Sequence, residues 1–313
     1  MDKIVGLDLG GTFIKAGLVS KEGEILDKRE IPTPVKEGRE KIISVMVEVA
    51  RLFLENQSEG EVIGIGIGTP GLVDEDGRVF QAPNLPGWEN FNLKEIFEEK
   101  FSLPVEVEND VNTIAWGEYK FGSGKGYSTV ICITLGTGLG GGIILNDSLL
   151  RGSKYSAVEI GHIPISYNGP RCKCGNIGCI ERYVGAEYIV EMAKERLKSR
   201  KSIITELVGG DLEKITPKII SEAYHKGDKL AEEIWIEVGV YLGTLFSGLV
   251  NLLNPQIIIV GGGIAQVGEI LFSTVKRTID ERCFSLLSKD VKVVPAKLGK
   301  DAGIVAAASL ILE

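Results

Sequence analysis

The residues best equipped for chemistry lie between Glu159 and Glu181, in the run EIGHIPISYNGPRCKCGNIGCIE. It holds His162, one of two histidines in the chain, and Cys172, Cys174 and Cys179, three of its five cysteines. Three thiolates and one imidazole are enough to close a four-coordinate zinc site, with no position left open for substrate or water. Gly175 and Gly178, between the last two sulfurs, let the backbone wrap closely around an ion. Two other readings fit the same residues: a disulfide with a spare thiol, and reduced cysteines with no shared role. The N-terminus goes directly into a strand with no apolar signal segment. Outside the secretory route cysteines more often bind metal or react than cross-link, so structural zinc is the expectation. The paired C-x2-C knuckles of fingers and ribbons are missing, so nucleic-acid binding does not follow from the cluster. Glu159 and Glu181 bracket it with carboxylates.

The pattern E-x-G-H, then G-x-x-C-x-C-G-x-x-G-C-x-E, resembles the signature of the ROK family of sugar kinases and sugar-responsive repressors. Within that family it is most similar to the bacterial-type glucokinases. The resemblance extends from Asp8 to the C-terminal helix, and no motif position departs from it.

Other stretches carry chemistry less plainly. Residues 3–19, KIVGLDLGGTFIKAGLV, read as two strands joined by a glycine turn. An ordinary hairpin and an anion-binding loop fit Gly10, Gly11 and Thr12 equally, with Lys15 adding a positive charge. Asp8 could hold Mg²⁺ through water. D-L-G-G-T is not the Walker pattern; it resembles the first phosphate motif of the actin-like ATPase superfamily, which includes the ROK kinases. A second hairpin of the same form, TVICITLGTGLGGGIIL over 129–145, carries Gly136, Thr137 and Gly138. Two such hairpins suggest an internally duplicated fold with one phosphate loop from each half. Gly261, Gly262 and Gly263 follow an apolar strand and lead into a helix start, where a backbone can approach a nucleotide. The resemblance assigns them to the adenosine side of an ATP site.

Asn109–Asp110 stands at a strand-to-helix junction, where the residues alone favour a helix cap. The resemblance implies instead that Asp110 is the general base and Asn109 a sugar contact. Asn84, in the irregular loop QAPNLPGW, reads by itself as a turn asparagine; the resemblance makes it a sugar ligand as well. Glu159, His162 and Glu181 complete the implied sugar-binding set. His162 can give one ring nitrogen to zinc and the other to a sugar hydroxyl. An aspartate of ordinary pKa is a weak base, so positioning and charge stabilisation are expected to supply much of the rate.

The elements that must position these groups follow from pattern. Ile42, Met46, Val49 and Phe53 recur at helical spacing. VIGIGIG over 62–68 predicts a strand with one bare face, against which another backbone can pack closely. The apolar run 234–253 predicts a buried core helix in preference to a membrane span, because Glu237 and several glycines interrupt it and basic flanks are missing. With 313 residues, 44% hydrophobic and 25% charged, the chain has room for two cores. Its net charge of −8 argues against nucleic-acid or anionic-membrane partners.

The expectation is therefore an α/β protein with the duplicated actin-like ATPase (ribonuclease H-like) fold, two domains flanking a central cleft. A smaller domain would take residues 1–112 and 299–313, the last helix packing back on it, and a larger one 113–298 with the zinc motif. The resemblance implies ATP-dependent phosphorylation of glucose with Mg²⁺, in a cytoplasmic homodimer. Kinases for N-acetylmannosamine, N-acetylglucosamine or fructose share most of the motifs. A repressor would carry a DNA-binding region ahead of the first phosphate strand, and a non-catalytic sensor would be expected to lack Asp110 or the D-L-G-G-T loop.

Overall fold

The computed structural model describes residues 2–55, 60–82 and 85–312. The order begins β1 (Lys3–Leu9), β2 (Phe13–Ser20), β3 (Ile25–Pro32), α1 (Arg39–Glu55) and β4 (Val62–Thr69). Three short strands, β5 (Leu72–Val73), β6 (Arg78–Gln81) and β7 (Phe91–Asn92), precede α2 (Leu93–Phe101), β8 (Val105–Asn109) and α3 (Asp110–Lys120). Next come β9 (Thr129–Leu135), β10 (Leu139–Leu145), β11 (Ser148–Leu149), α4 (Glu181–Val184), α5 (Ala186–Leu197), α6 (Ile203–Leu207), α7 (Pro217–His225) and α8 (Lys229–Leu253). β12 (Ile257–Gly261), α9 (Glu269–Arg282), α10 (Ser285–Ser288), β13 (Lys292–Pro295) and α11 (Ala302–Ser309) follow. The chain divides into two compact units, one of residues 1–128, 142–158 and 297–313, the other of 129–141 and 159–296.

Two five-stranded sheets repeat one topology, β3-β2-β1-β4-β8 and β11-β10-β9-β12-β13. In each the outer pair is antiparallel and the last two strands run parallel. That repetition is the duplication which the paired glycine hairpins suggested.

In the first unit the period-two alternation of a strand sorts residues between two layers. Val5, Leu7, Leu9, Ile65 and Ile67 join the core shared with Ile42, Met46, Val49 and Phe53 of α1. The opposite face of β1 and β4 is glycine-rich, and α11 lies on it. A Cβ at Gly6 would fall 2.1 Å from the Ile304 carbonyl oxygen, and one at Gly66 would fall 1.7 Å from that of Ala307. The bare face of VIGIGIG therefore receives a helix backbone. Gly117 of α3 meets the same helix from another side, where a Cβ would stand 2.4 Å from Ala306 Cβ.

The returning chain is fixed by Glu118, whose side chain is buried. Its carboxylate accepts hydrogen bonds from the N–H groups of Ser123, Lys297 and Leu298, each at 2.8 Å.

In the second unit α8 is long and apolar enough to cross a membrane by length and composition. It packs as a core helix: Leu230, Ile234, Trp235, Val238, Leu242 and Phe246 are buried, and Gly239 and Gly243 lie against Thr274 and Thr278 of α9. Thr216 caps α7 through its hydroxyl, with Pro217 as the first helical residue. Cys283 follows α9, its Sγ 3.4 Å from the Ser247 carbonyl oxygen. One detail differs from the sequence reading. The glycines at 261–263 open into a single 3₁₀ turn, Ile264–Val267, and the α-helix begins only at Glu269.

Candidate functional site

In the first unit, Asp8 at the end of β1 pairs across the sheet with Lys15 of β2. Burial raises the proton affinity of Asp8, and the Lys15 charge opposes the rise. Asp8 shares its face of β1 with Gly6, so the closeness of α11 bears on it directly: a Cβ at Gly303 would stand 2.0 Å from Asp8 Oδ2. The turn after Asp8 is closed by Gly10 N–H donating to the Phe13 carbonyl at 2.9 Å. Thr33 braces it through an Oγ1–H bond to the Gly10 carbonyl at 2.7 Å. Gly11 and Thr12 are exposed. Neither Gly10 nor Gly11 has positive φ. Conformational freedom is thus not what the turn draws from them, and Gly11 has open space where a side chain would stand.

The strand–helix junction realises the cap. Asn109 Oδ1 accepts from Val111 N–H at 3.0 Å and Asn112 N–H at 3.1 Å, serving the orphan donors of α3. Its Nδ2 donates to the Gly71 carbonyl at 3.0 Å and to Asp110 Oδ1 at 3.1 Å. All four hydrogen-bonding positions of the amide are used. Asp110 Oδ1 also accepts from Val111 N–H at 2.9 Å, while Oδ2 has no hydrogen-bonding partner among the described residues. Burial pushes Asp110 up to about 6; its hydrogen bond from Val111 N–H opposes this and the Asp8 charge adds to it. Asp110 is therefore not the unperturbed aspartate that the sequence reading assumed, and it is a better base near neutral pH. Asn84 lies outside the described residues. Trp88 of the same loop is buried, its Nε1–H donating to Thr69 Oγ1 at 2.9 Å.

In the second unit the ligand atoms of His162, Cys172, Cys174 and Cys179 all lie within 4.8 Å of one another. His162 Nδ1 is 3.9 Å from Cys172 Sγ, and the sulfurs of Cys174 and Cys179 are 3.7 Å apart. A tetrahedron with metal–sulfur bonds of about 2.3 Å has sulfur–sulfur edges of about 3.8 Å. The donors fit a four-coordinate thiolate–imidazole centre, and none of the five cysteines is in a disulfide, so the disulfide reading falls. Burial pushes Cys179 up to about 12, a proton that a bound metal would displace.

Glu181 Oε2 accepts from Leu139 N–H at 3.1 Å, at the end of the second glycine turn. A Cβ at Gly138 would stand 2.3 Å from that oxygen. The turn also donates from Gly136 N–H to the Gly138 carbonyl at 3.0 Å and accepts at the Gly136 carbonyl from Ala186 N–H at 3.1 Å. Thr137 at its tip is exposed, as is Glu159. Gly262 alone of residues 261–263 has positive φ, +89°, with a Cβ position 2.1 Å from the Leu135 carbonyl oxygen.

The sequence reading missed Glu108, Asn112 and Arg151. Glu108 is buried next to Asn109, yet the alternation V-E-V-E gives no sign that its second glutamate differs from its first. Also unannounced are the left-handed backbones of Tyr155 (φ +53°) and Val158 (φ +70°), just before Glu159. Val158 is β-branched, and such a residue rarely adopts this conformation.

A model of the ROK family matches residues 4–313. The glucokinase of Thermotoga maritima is 37% identical over 312 residues, covering 99% of this chain and 98% of the relative. That of Streptomyces coelicolor is 39% identical over 319 residues, covering 100% and 98%. Among solved structures, a ROK family glucokinase from Streptomyces griseus in complex with glucose and AMPPNP superposes with a TM-score of 0.81, at 38% identity and 98% coverage of both chains. The repeated sheet topology is that of the actin-like ATPase fold, and with a family match over nearly its whole length, this chain belongs to the ROK family.

Proposed function

We propose that this protein transfers the γ-phosphoryl group of ATP to glucose, forming glucose 6-phosphate. The observation that carries the reading is the full-length similarity to glucokinases, one of which has been solved with glucose and AMPPNP bound. Asp110 serves as general base, its Oδ2 accepting the proton as the 6-hydroxyl attacks phosphorus in line. A base of this kind contributes about 10²–10⁴-fold, the remainder coming from positioning and charge stabilisation.

The sugar hydroxyls are held by Asn84, Asn109, Glu159, His162 and Glu181, with Asp110 at the reacting one. Asn109 takes part by exchanging one of its present bonds, to Gly71 or to Asp110, for a sugar hydroxyl. ATP phosphates meet the N–H groups of residues 10–12 and 136–138, with Lys15 adding charge, and Gly261–Gly263 carry the adenosine side. Asp8 would hold Mg²⁺, which neutralises phosphate charge when bound. His162, Cys172, Cys174 and Cys179 would hold structural zinc, which fixes the ring of His162 and the carboxylates of Glu159 and Glu181. We place the protein in the cytoplasm, as a homodimer.

The test is ATP-dependent phosphorylation of glucose, mannose, fructose, N-acetylglucosamine and N-acetylmannosamine by wild type and Asp110→Asn. Glucose turnover that collapses in the variant while glucose still binds is the expected result. Preference for an N-acetylated sugar or fructose would keep the mechanism and move the substrate. Turnover of no sugar, with binding intact, would overturn the enzymatic reading.

A further inference from the structure

Asp110 has a neighbouring carboxylate in a different setting. Glu108 is 4% exposed, and both its oxygens are occupied. Oε1 accepts from Asn109 N–H at 2.9 Å and from Asn112 Nδ2 at 3.1 Å. Oε2 accepts from Arg151 Nε at 2.7 Å. Burying a carboxylate is costly unless it is paired and hydrogen-bonded, and these contacts supply both partners. With both oxygens taken it cannot serve as the base itself.

Its contacts reach the base by a short route. Glu108 fixes the N–H of Asn109 and the side chain of Asn112; Asn109 in turn caps α3 and donates to Asp110 Oδ1. Arg151 comes from the segment after β11, far along the chain from β8. That segment is moored a second time, by a hydrogen bond between Tyr155 and Glu75. An ion pair between remote segments directly behind a catalytic junction is more than a helix cap requires, since Asn109 alone supplies the cap.

Resting on the reading of Asp110 as base, we propose that Glu108 and Arg151 are positioning residues for the reaction: their ion pair sets the Asn109–Asp110 junction and thereby the aim of the base. Neither touches the reacting atoms. Among the described residues, the Asp8 charge on β1 acts on Asp110 and Lys15 on β2 opposes the effect at Asp8; Glu108 on β8 and Arg151 from the segment after β11 are the charged groups joined to its junction through Asn109.

This arrangement has a signature that a purely structural pair lacks. Arg151→Met leaves a buried negative charge near Asp110 and moves the acid limb of the pH–rate profile to higher pH. Glu108→Gln leaves a positive charge and moves the limb to lower pH. The double variant returns the limb towards wild type, because the two charges cancel in the native pair. Each single variant is expected to lose about 10–100-fold in kcat through misaim of the base, with KM for ATP changed less than about threefold. The experiment is initial rates from about pH 5 to 9 on wild type, both single variants and the double variant, with thermal melts to establish folding.

Folded single variants whose acid limb and kcat equal those of wild type would overturn the proposal. Should Arg151→Met fail to fold, Arg151→Lys preserves the charge and is expected to keep the limb in place while lowering kcat; full kcat there would overturn it equally. Asp110→Asn separates the two readings. A wild type that phosphorylates no sugar removes the kinase assignment, and this inference with it. Activity that Asp110→Asn abolishes and Arg151→Met leaves intact removes this inference alone.

Discussion

Asp110 and Glu108 are both carboxylates on the same short strand–helix junction, and their surroundings give them opposite properties. Glu108 is paired with an arginine, whereas Asp110 gains proton affinity from burial, with a folded-state pKa of about 6. An unfolded aspartate titrates near about 3.9. The stabilisation that comes with the raised value is therefore complete below about pH 4 and lost as pH rises through about 6, so at neutral pH the ionised group weakens the fold. Asp110→Asn should then be more stable than wild type at neutral pH by about 1–3 kcal/mol while losing turnover. Thermal melts across this range check the claim: the difference should shrink towards pH 4, and a variant less stable at neutral pH would refute it. In wild type, kcat/KM should climb with pH through about 6 as the base ionises. The sequence located Asp110 by its neighbours and its resemblance, but proton affinity depends on burial and on Asp8, which lies a hundred residues away. Saturation of the Asn109 amide was hidden for the same reason, since Gly71 is one of its partners. Asn84 lies outside the described residues.

At the scale of elements, alternation was the most informative signal. The isoleucines and glycines of β4 announced a strand with one bare face, and the spacing of Ile42, Met46, Val49 and Phe53 announced the helix that covers the other. What the pattern could not name was the backbone that fills the bare face. That is α11, and its carbonyl oxygens leave no room for a methyl group. Gly66→Ala, with its Cβ 1.7 Å from the Ala307 oxygen, should lose about 3 kcal/mol or more of stability, because both partners are backbone and neither can turn aside. A denaturant melt with an unchanged midpoint would refute this. The glycines of the hairpin turns and of residues 261–263 were legible as residues but not in their reasons. Gly138 makes room for the Glu181 carboxylate, and Gly262 alone of its triplet takes a left-handed backbone. Strain at Val158 had no sequence signal, because valine normally marks an extended strand.

For the molecule as a whole, duplication was readable from two glycine hairpins, and the repeated strand order bears it out. The histidine–cysteine cluster was readable because its four residues lie close together in sequence. If the proposed zinc is structural, prolonged chelation should lower both the melting temperature and glucose affinity, and added zinc should restore them. Metal-free protein that keeps both at full value would refute the proposal.

The seating of α11 on β1 and β4 also governs how the protein is made. A ribosome adds about 5–20 residues per second, so the strands of the first unit wait on the order of tens of seconds for the helix that covers their glycine face. During that interval the nascent sheet exposes its bare face and cannot close. The first unit to emerge is thus among the last to be finished, and chaperone dependence during synthesis should concentrate there.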